Sequence, residues 1–193
     1  MRRLVLASAS PRRADILRML GLDFDVRVTD VPERREPGER PDAYVERLAR
    51  EKATAASEPD ARVLAGDTVV VLDDTVLEKP VDAADAEAML LALSGREHVV
   101  LTGMALSDPG SGLHSLVAQA HVRFRTFDAT LARRYVQTGE PMDKAGAYGI
   151  QSRGAALIER IDGDFFTVMG LSVAGLMALL ERAGVPYRFG PLG

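Results

Sequence analysis

Leu4-Val5-Leu6-Ala7-Ser8-Ala9-Ser10-Pro11-Arg12-Arg13 is the stretch that decides the fold. Leu4 to Ala7 read as a short apolar strand. Ser10 is a favoured helix N-cap, and Pro11 suits the first helical position, where a missing N–H costs nothing. The helix that follows runs through Ile16, Leu17 and Leu20 and stops at Gly21. Strand, short loop and helix in this order open an α/β arrangement. The turn at Pro11-Arg12-Arg13 also carries chemistry. The first turn of a helix offers unsatisfied backbone N–H groups and a partial positive charge. Two arginines there add bidentate donors, and Ser8 and Ser10 add hydroxyls. Together these make an anion site without the glycines of a P-loop. The alternative, an ordinary capped helix with surface arginines, has to accept basic residues where they oppose the helix dipole.

Outward from this stretch, Leu22, Phe24, Val26 and Val28 alternate with other residues as a half-buried strand does. The charged segment 30–40, with Pro32, Pro37 and Gly38, is a loop. A helix is expected from about Asp42 to Ser57, with Tyr44, Val45, Leu48 and Ala55 on one face. Val63 to Leu72 is the most apolar strand, interrupted by Gly66-Asp67-Thr68. It turns at Asp73-Asp74 into Thr75-Val76-Leu77, a hairpin signal. Asp82 caps a helix that ends at Gly95. Val99–Leu106 and Leu113–Phe127 are strands joined by the turn Asp108–Gly112. Asp128 caps a helix closed by Gly139. Residues 140–154 form a glycine-marked loop. Ala155–Ile161 and Phe165–Met169 are expected to pair as a hairpin across Asp162-Gly163. Ser172 caps the last helix, which ends at Gly184. Hairpins mixed with helices indicate an α/β fold, a mixed sheet with helices outside it, in one domain over residues 1–193.

Composition narrows the function. The chain of 193 residues has a net charge of -4, which argues against a general nucleic-acid binder. A small anionic ligand needs only a local basic pocket. There is no cysteine, hence no thiol nucleophile and no cysteine-ligated zinc, and the three histidines make no zinc motif. His98, His114 and His121 read as structural. No apolar run is long enough for a membrane span, and the chain opens on a strand without a signal-peptide pattern, so a cytoplasmic location is expected. A homodimer is the candidate assembly.

Lysine is the rarest charge. Of 24 basic residues only Lys52, Lys79 and Lys144 are lysines. In an arginine-rich chain a lysine marks a place for a compact point charge rather than a planar fork, unless the three are surface leftovers. Lys52 lies four residues after Leu48, at the edge of the apolar stripe, where it could serve a site or simply snorkel. Asp67 stands in an apolar strand. A carboxylate there pairs, binds metal or takes up a proton, unless the strand ends at an exposed turn. Glu33 is a candidate second carboxylate for magnesium, which favours one or two carboxylates plus substrate phosphates. Gln151 follows Gly149-Ile150, and its amide can read both donor and acceptor edges of a base.

These residues, in order and over nearly the whole chain, resemble the Maf proteins, nucleoside triphosphate pyrophosphatases first named for an effect on septum formation. The resemblance rests on Leu6 to Arg13, Arg47-Leu48-Ala49-Arg50-Glu51-Lys52-Ala53, Gly66-Asp67-Thr68-Val69-Val70 and Glu78-Lys79-Pro80. It continues in Leu93-Ser94-Gly95-Arg96, in Glu140 to Gln151, in Ile161-Asp162-Gly163-Asp164 and in Val168-Met169-Gly170-Leu171. It implies a two-lobed fold like that of the inosine triphosphate pyrophosphatases, with the site in the cleft between lobes. It also implies a divalent cation, Mg²⁺ or Mn²⁺, and cleavage of a nucleotide to its monophosphate and pyrophosphate. The site residues it implies are Ser8, Arg12, Arg13, Glu33, Lys52, Asp67, Lys79 and Gln151, with Thr68 beside Asp67 in the substrate-binding set. Ala147-Tyr148-Gly149-Ile150-Gln151 resembles the branch acting on dTTP and UTP. The chain departs from the family at Ser152, Ser172 and Ala65-Gly66. Within this reading Arg12, Arg13, Lys52 and Lys79 meet the phosphates. Asp67 is metal ligand or general base, and Glu33 assists at the metal. The rival is a nucleotide-binding regulator of cell division without turnover, which would not need both Glu33 and Asp67.

Overall fold

The computed structural model describes residues 2–192. The first element is β1 (Arg3–Leu6), followed by α1 (Pro11–Met19), β2 (Asp25–Val26), α2 (Pro41–Ala55), β3 (Ala61–Leu72) and β4 (Thr75–Leu77). Then come α3 (Ala83–Leu93), β5 (Glu97–Asp108), β6 (Gly112–Phe124) and α4 (Ala129–Val136). After three short 3₁₀ turns the chain closes with β7 (Ile158–Gly163), α5 (Phe165–Met169) and α6 (Val173–Arg182). The strands form one mixed seven-stranded sheet in the order β2-β1-β3-β5-β6-β7, with β4 paired to β3. β1 is parallel to both β2 and β3, while β3 pairs β4 and β6 pairs β7 in antiparallel register. The expected mixed α/β architecture is what the chain adopts.

Two compact units divide the chain. The first comprises the residues up to Asp67, Thr102–Ala118 and those from Gly170 on. Its core packs Val5, Ala49, Ala53, Ala56, Ala61, Val63, Ala65 and Ala105. So many alanines let α2 approach the strands closely. Gly103 shows how closely: a Cβ there would lie 2.2 Å from the Val45 carbonyl oxygen. The second unit comprises Thr68–Leu101 and Gln119–Met169. Its core is bulkier, with Leu90, Leu93, Val122, Phe124, Tyr135, Tyr148 and Leu157. Phe124 and Tyr148 meet edge to face, with centroids 4.8 Å apart.

Caps set the helix starts where the sequence places them. Asp82, Asp128 and Ser172 accept from the backbone N–H groups of Asp85, Leu131 and Gly175. Ser10 is the N-cap of α1 by position, but its hydroxyl makes no cap bond. Four expectations need correction. The strand over Leu22 to Val28 shrinks to Asp25–Val26, and Val26 and Val28 are 54% and 63% exposed. The inward face of α2 carries Lys52, Ala53 and Ala56, while Ala55 is exposed. β3 is not interrupted at Gly66-Asp67-Thr68 but runs through it as extended backbone. Phe165–Met169 is a helix, not a strand. Asp164 carboxylate oxygens accept from Phe166 N, Thr167 N and the Thr167 hydroxyl, starting a helical turn that overrides the β propensity of the Phe-Phe-Thr-Val run. β7 pairs with β6 instead.

Candidate functional site

Lys52 is the centre of the first unit's polar cluster. It projects from the inward face of α2 and is 7% exposed, an unusual state for a lysine. Its Nζ donates to Glu33 Oε1 at 2.5 Å and to Asp67 Oδ1 at 2.7 Å. A buried ammonium without counter-charges would be strongly destabilising; here two carboxylates offset its loss of hydration. Asp67 is itself buried, whereas the Glu33 side chain is 48% exposed. The site is therefore open on the Glu33 side and closed on the Asp67 side. The close approach of α2 at Gly103 brings Lys52 to β3, and the unbroken extended course of β3 presents Asp67 to it.

Arg13 forms a second layer. It is buried, with Nε donating to the Gly170 carbonyl at 2.7 Å and Nη1 donating to Ser8 Oγ at 2.9 Å. Burial pulls its guanidinium below the ordinary arginine value; the charges of Asp67 and Glu33 oppose this and Arg12 reinforces it. Arg13 thus shares the field of the Lys52 carboxylates. Gly66 makes room for it, because a Cβ at that position would sit 3.3 Å from Arg13 Nε. Ser8 Oγ also accepts from Ser10 N at 3.2 Å, which fixes the loop ahead of α1. The first turn of α1 has no acidic residue and no side-chain cap bond, so nothing there offsets the positive end of the helix dipole. Arg12, beside Arg13, is half-buried.

The remaining expected residues belong to the second unit. Thr68 follows Asp67 directly in β3 and is half-buried. Lys79, after β4, is exposed. Gln151 is exposed in the loop between the 3₁₀ turns, together with Ser152 and Arg153. Lys144 is buried and turned to its own loop, donating to Glu140 O and Asp143 Oδ1, both at 2.6 Å. Its role in the structure is local, unlike that of Lys52. His98 is buried and bonds the Tyr148 hydroxyl at 2.8 Å, as expected of a structural histidine. Sequence reasoning did not name Gly103, and quoted Gly66 and Gly170 only within motifs; all three shape the site by what they lack or by a carbonyl. For Gly66 and Gly103 the signal was glycine inside an apolar strand.

Two hard carboxylates converging on one positive centre suit a Mg²⁺ or Mn²⁺ ion. No group of three or more histidine, cysteine, aspartate or glutamate side chains clusters as a metal site among the described residues. Such an ion would therefore draw its other ligands from phosphate and water. Nor is any described helix long and apolar enough to cross a membrane.

Comparison with known proteins identifies the family. The family model for Maf-like proteins matches residues 3–183. A dTTP/UTP pyrophosphatase of Symbiobacterium thermophilum is 49% identical over 197 residues, covering all of both chains. A dTTP/UTP pyrophosphatase of Anaeromyxobacter dehalogenans is 52% identical over 188 residues, 95% of each chain. Among solved structures, a HAM1 protein from Coxiella burnetii aligns over 64% of this chain and 73% of its own at 19% identity, with a TM-score of 0.44. A family match over almost the entire length, with relatives of about half identical sequence, places this chain in the Maf family.

Proposed function

We propose that this chain hydrolyses dTTP and UTP to the nucleoside monophosphate and pyrophosphate, clearing them from the nucleotide pool of the cytoplasm. The observation that carries the reading is Lys52 Nζ held between Glu33 and Asp67, in the electrostatic field of Arg13. The names of the relatives supply the bases. Hydrolysis at the α-phosphorus needs negative charge neutralised, a water activated and a leaving pyrophosphate held. Arg12, Lys52 and Lys79 take the phosphates, at the positive end of α1. Ser8 Oγ, which already accepts from Arg13 and Ser10 N, has its own proton to give a phosphate oxygen. Arg13, engaged by Gly170 and Ser8, acts mainly through its charge and by fixing Ser8.

Lys52 orients Asp67 through Oδ1, leaving Oδ2 as the atom we assign to the attacking water's proton. Glu33 and Asp67 would hold a Mg²⁺ or Mn²⁺ ion, whose contribution is to neutralise charge on the phosphate oxygens. Thr68 assists at the substrate, and Gln151 reads the shared acceptor–donor–acceptor edge of thymine and uracil.

The test is product analysis. Purified protein with magnesium or manganese is given dTTP, and phosphate is measured with and without added inorganic pyrophosphatase. Signal only in the presence of the second enzyme is the expected result. Orthophosphate without it would make the protein a phosphatase, and no turnover would return it to a nucleotide-binding role.

A further inference from the structure

The loop that bears Gln151 is tied at its neck by groups that the proposed chemistry does not use. Tyr135, at the end of α4, sends its hydroxyl to Glu140 Oε1 at 2.8 Å and accepts on the same oxygen from Gly149 N at 3.1 Å. Glu140 Oε1 also accepts from Gly154 N at 3.0 Å, and Oε2 from Arg153 N at 3.2 Å. Both ends of the segment 149–154 are therefore bonded to one tyrosine–glutamate pair. Gly154 lies so close that a Cβ there would be 2.5 Å from the Tyr135 hydroxyl and 2.6 Å from the Gly149 carbonyl. Lys144 closes the other side: its stem would stand 2.8 Å from a Cβ at Gly149, while its ammonium is fixed on Glu140 O and Asp143. Burial, with the Glu140 and Asp143 charges adding to it, pushes the Tyr135 phenol far above its ordinary value. The hydroxyl consequently stays a donor throughout the working pH range.

The tip of this closed loop behaves differently from its neck. Gln151, Ser152 and Arg153 are all exposed. Three polar side chains on a tip whose neck is fully bonded form a rigid presenting element, and binding groups need such support to hold their geometry. We propose that Tyr135 and Glu140 are positioning residues, which hold the 149–154 loop so that Gln151 meets the nucleotide without themselves touching it. This rests on the function proposed above and adds to it the device that fixes its base-reading group.

Tyr135→Phe removes the hydroxyl with little change of shape. Expected results are faster amide exchange at Gly149 and Gly154, a KM for dTTP raised about fivefold, and a kcat within about twofold of wild type. In a Gln151→Ala background the same change should raise KM no further, because Tyr135 acts through Gln151. Glu140→Gln, which keeps an acceptor, should be milder than Glu140→Ala in both exchange and KM. Unchanged exchange in Tyr135→Phe would overturn the clamp while leaving the function standing. A fall in kcat as large as the rise in KM, or effects that add in the double variant, would overturn the positioning role. If the wild type turned over no dTTP, the function would fail and the substrate role of the clamp with it, and exchange would still decide whether the loop is clamped.

Discussion

Lys52 in the first unit and Lys144 in the second are almost equally buried, at 7% and 9% exposure, yet they do opposite things. Lys52 bonds Glu33 and Asp67, which come from segments 19 and 15 residues away. Lys144 bonds the backbone of Glu140 and the side chain of its neighbour Asp143. The first lysine gathers distant carboxylates into a charged centre; the second stiffens its own loop. The surroundings follow the same division. The first unit buries Arg13, Lys52, Arg62, Asp67 and Asp108, whereas the second, Lys144 apart, buries an imidazole and phenol hydroxyls among aromatic rings. Burial of a rare residue therefore marks a place where it matters. What it matters for is decided by how far its partners lie along the chain.

The comparison breaks most sharply at Asp67. Asp67→Asn keeps the size and an acceptor for Lys52 but removes charge and basicity. Turnover of dTTP should fall on the order of 10²-fold or more, with the protein folded and still binding nucleotide by calorimetry. Near-normal turnover would demote the first unit's charged centre to a structural one.

A smaller effect probes the second unit. Burial lowers the His98 pKa from 6.5 to about 4, and His98 Nδ1 has no hydrogen-bond partner among the described residues. The native state thus favours neutral imidazole. The unfolded chain takes up the proton first as pH falls, so the stabilising contribution is present above pH 6.5 and is lost on going down through pH 4. Urea unfolding at pH 7 and pH 5 should differ by about 2 kcal/mol from this group alone. His98→Gln should flatten that dependence, and an unchanged slope would assign it elsewhere.

The smallest effect sharpens the lysine comparison directly. Lys52→Arg keeps the charge but must fit a fork between Glu33 and Asp67, and should lower kcat about tenfold. Lys144→Arg should leave kcat within about twofold, since its partners are local. Equal kcat losses in the two variants would erase the distinction between them.

Much of this was legible in the chain because the signals are local. Asp82, Asp128 and Ser172 cap helices through bonds to their own first turns, and Asp73-Asp74 turns a hairpin whose Asp73 has a φ of 52°. The candidate site was legible as residue types: Lys52 and Asp67 were marked by polar groups standing in apolar patterns. Their meeting was not, because it depends on Gly103, where absence of a side chain lets α2 approach, and nothing near Lys52 in sequence encodes that. The alternation of Leu22 to Val28 misled for a related reason. β2 lies at the edge of the sheet, pairing only with β1 over two residues, so Val26 and Val28 gain little burial despite their spacing. At Phe165–Met169 a single capping aspartate outweighed five residues of strand-like composition.

The central claim is that water attacks the α-phosphorus of a pyrimidine nucleoside triphosphate at the Lys52, Asp67 and Glu33 cluster. Hydrolysis of dTTP in ¹⁸O-water, followed by mass spectrometry of both products, tests it most directly. The label should appear in dTMP and not in pyrophosphate. Label in pyrophosphate, or in released orthophosphate, would place the attack on another phosphorus and contradict the account.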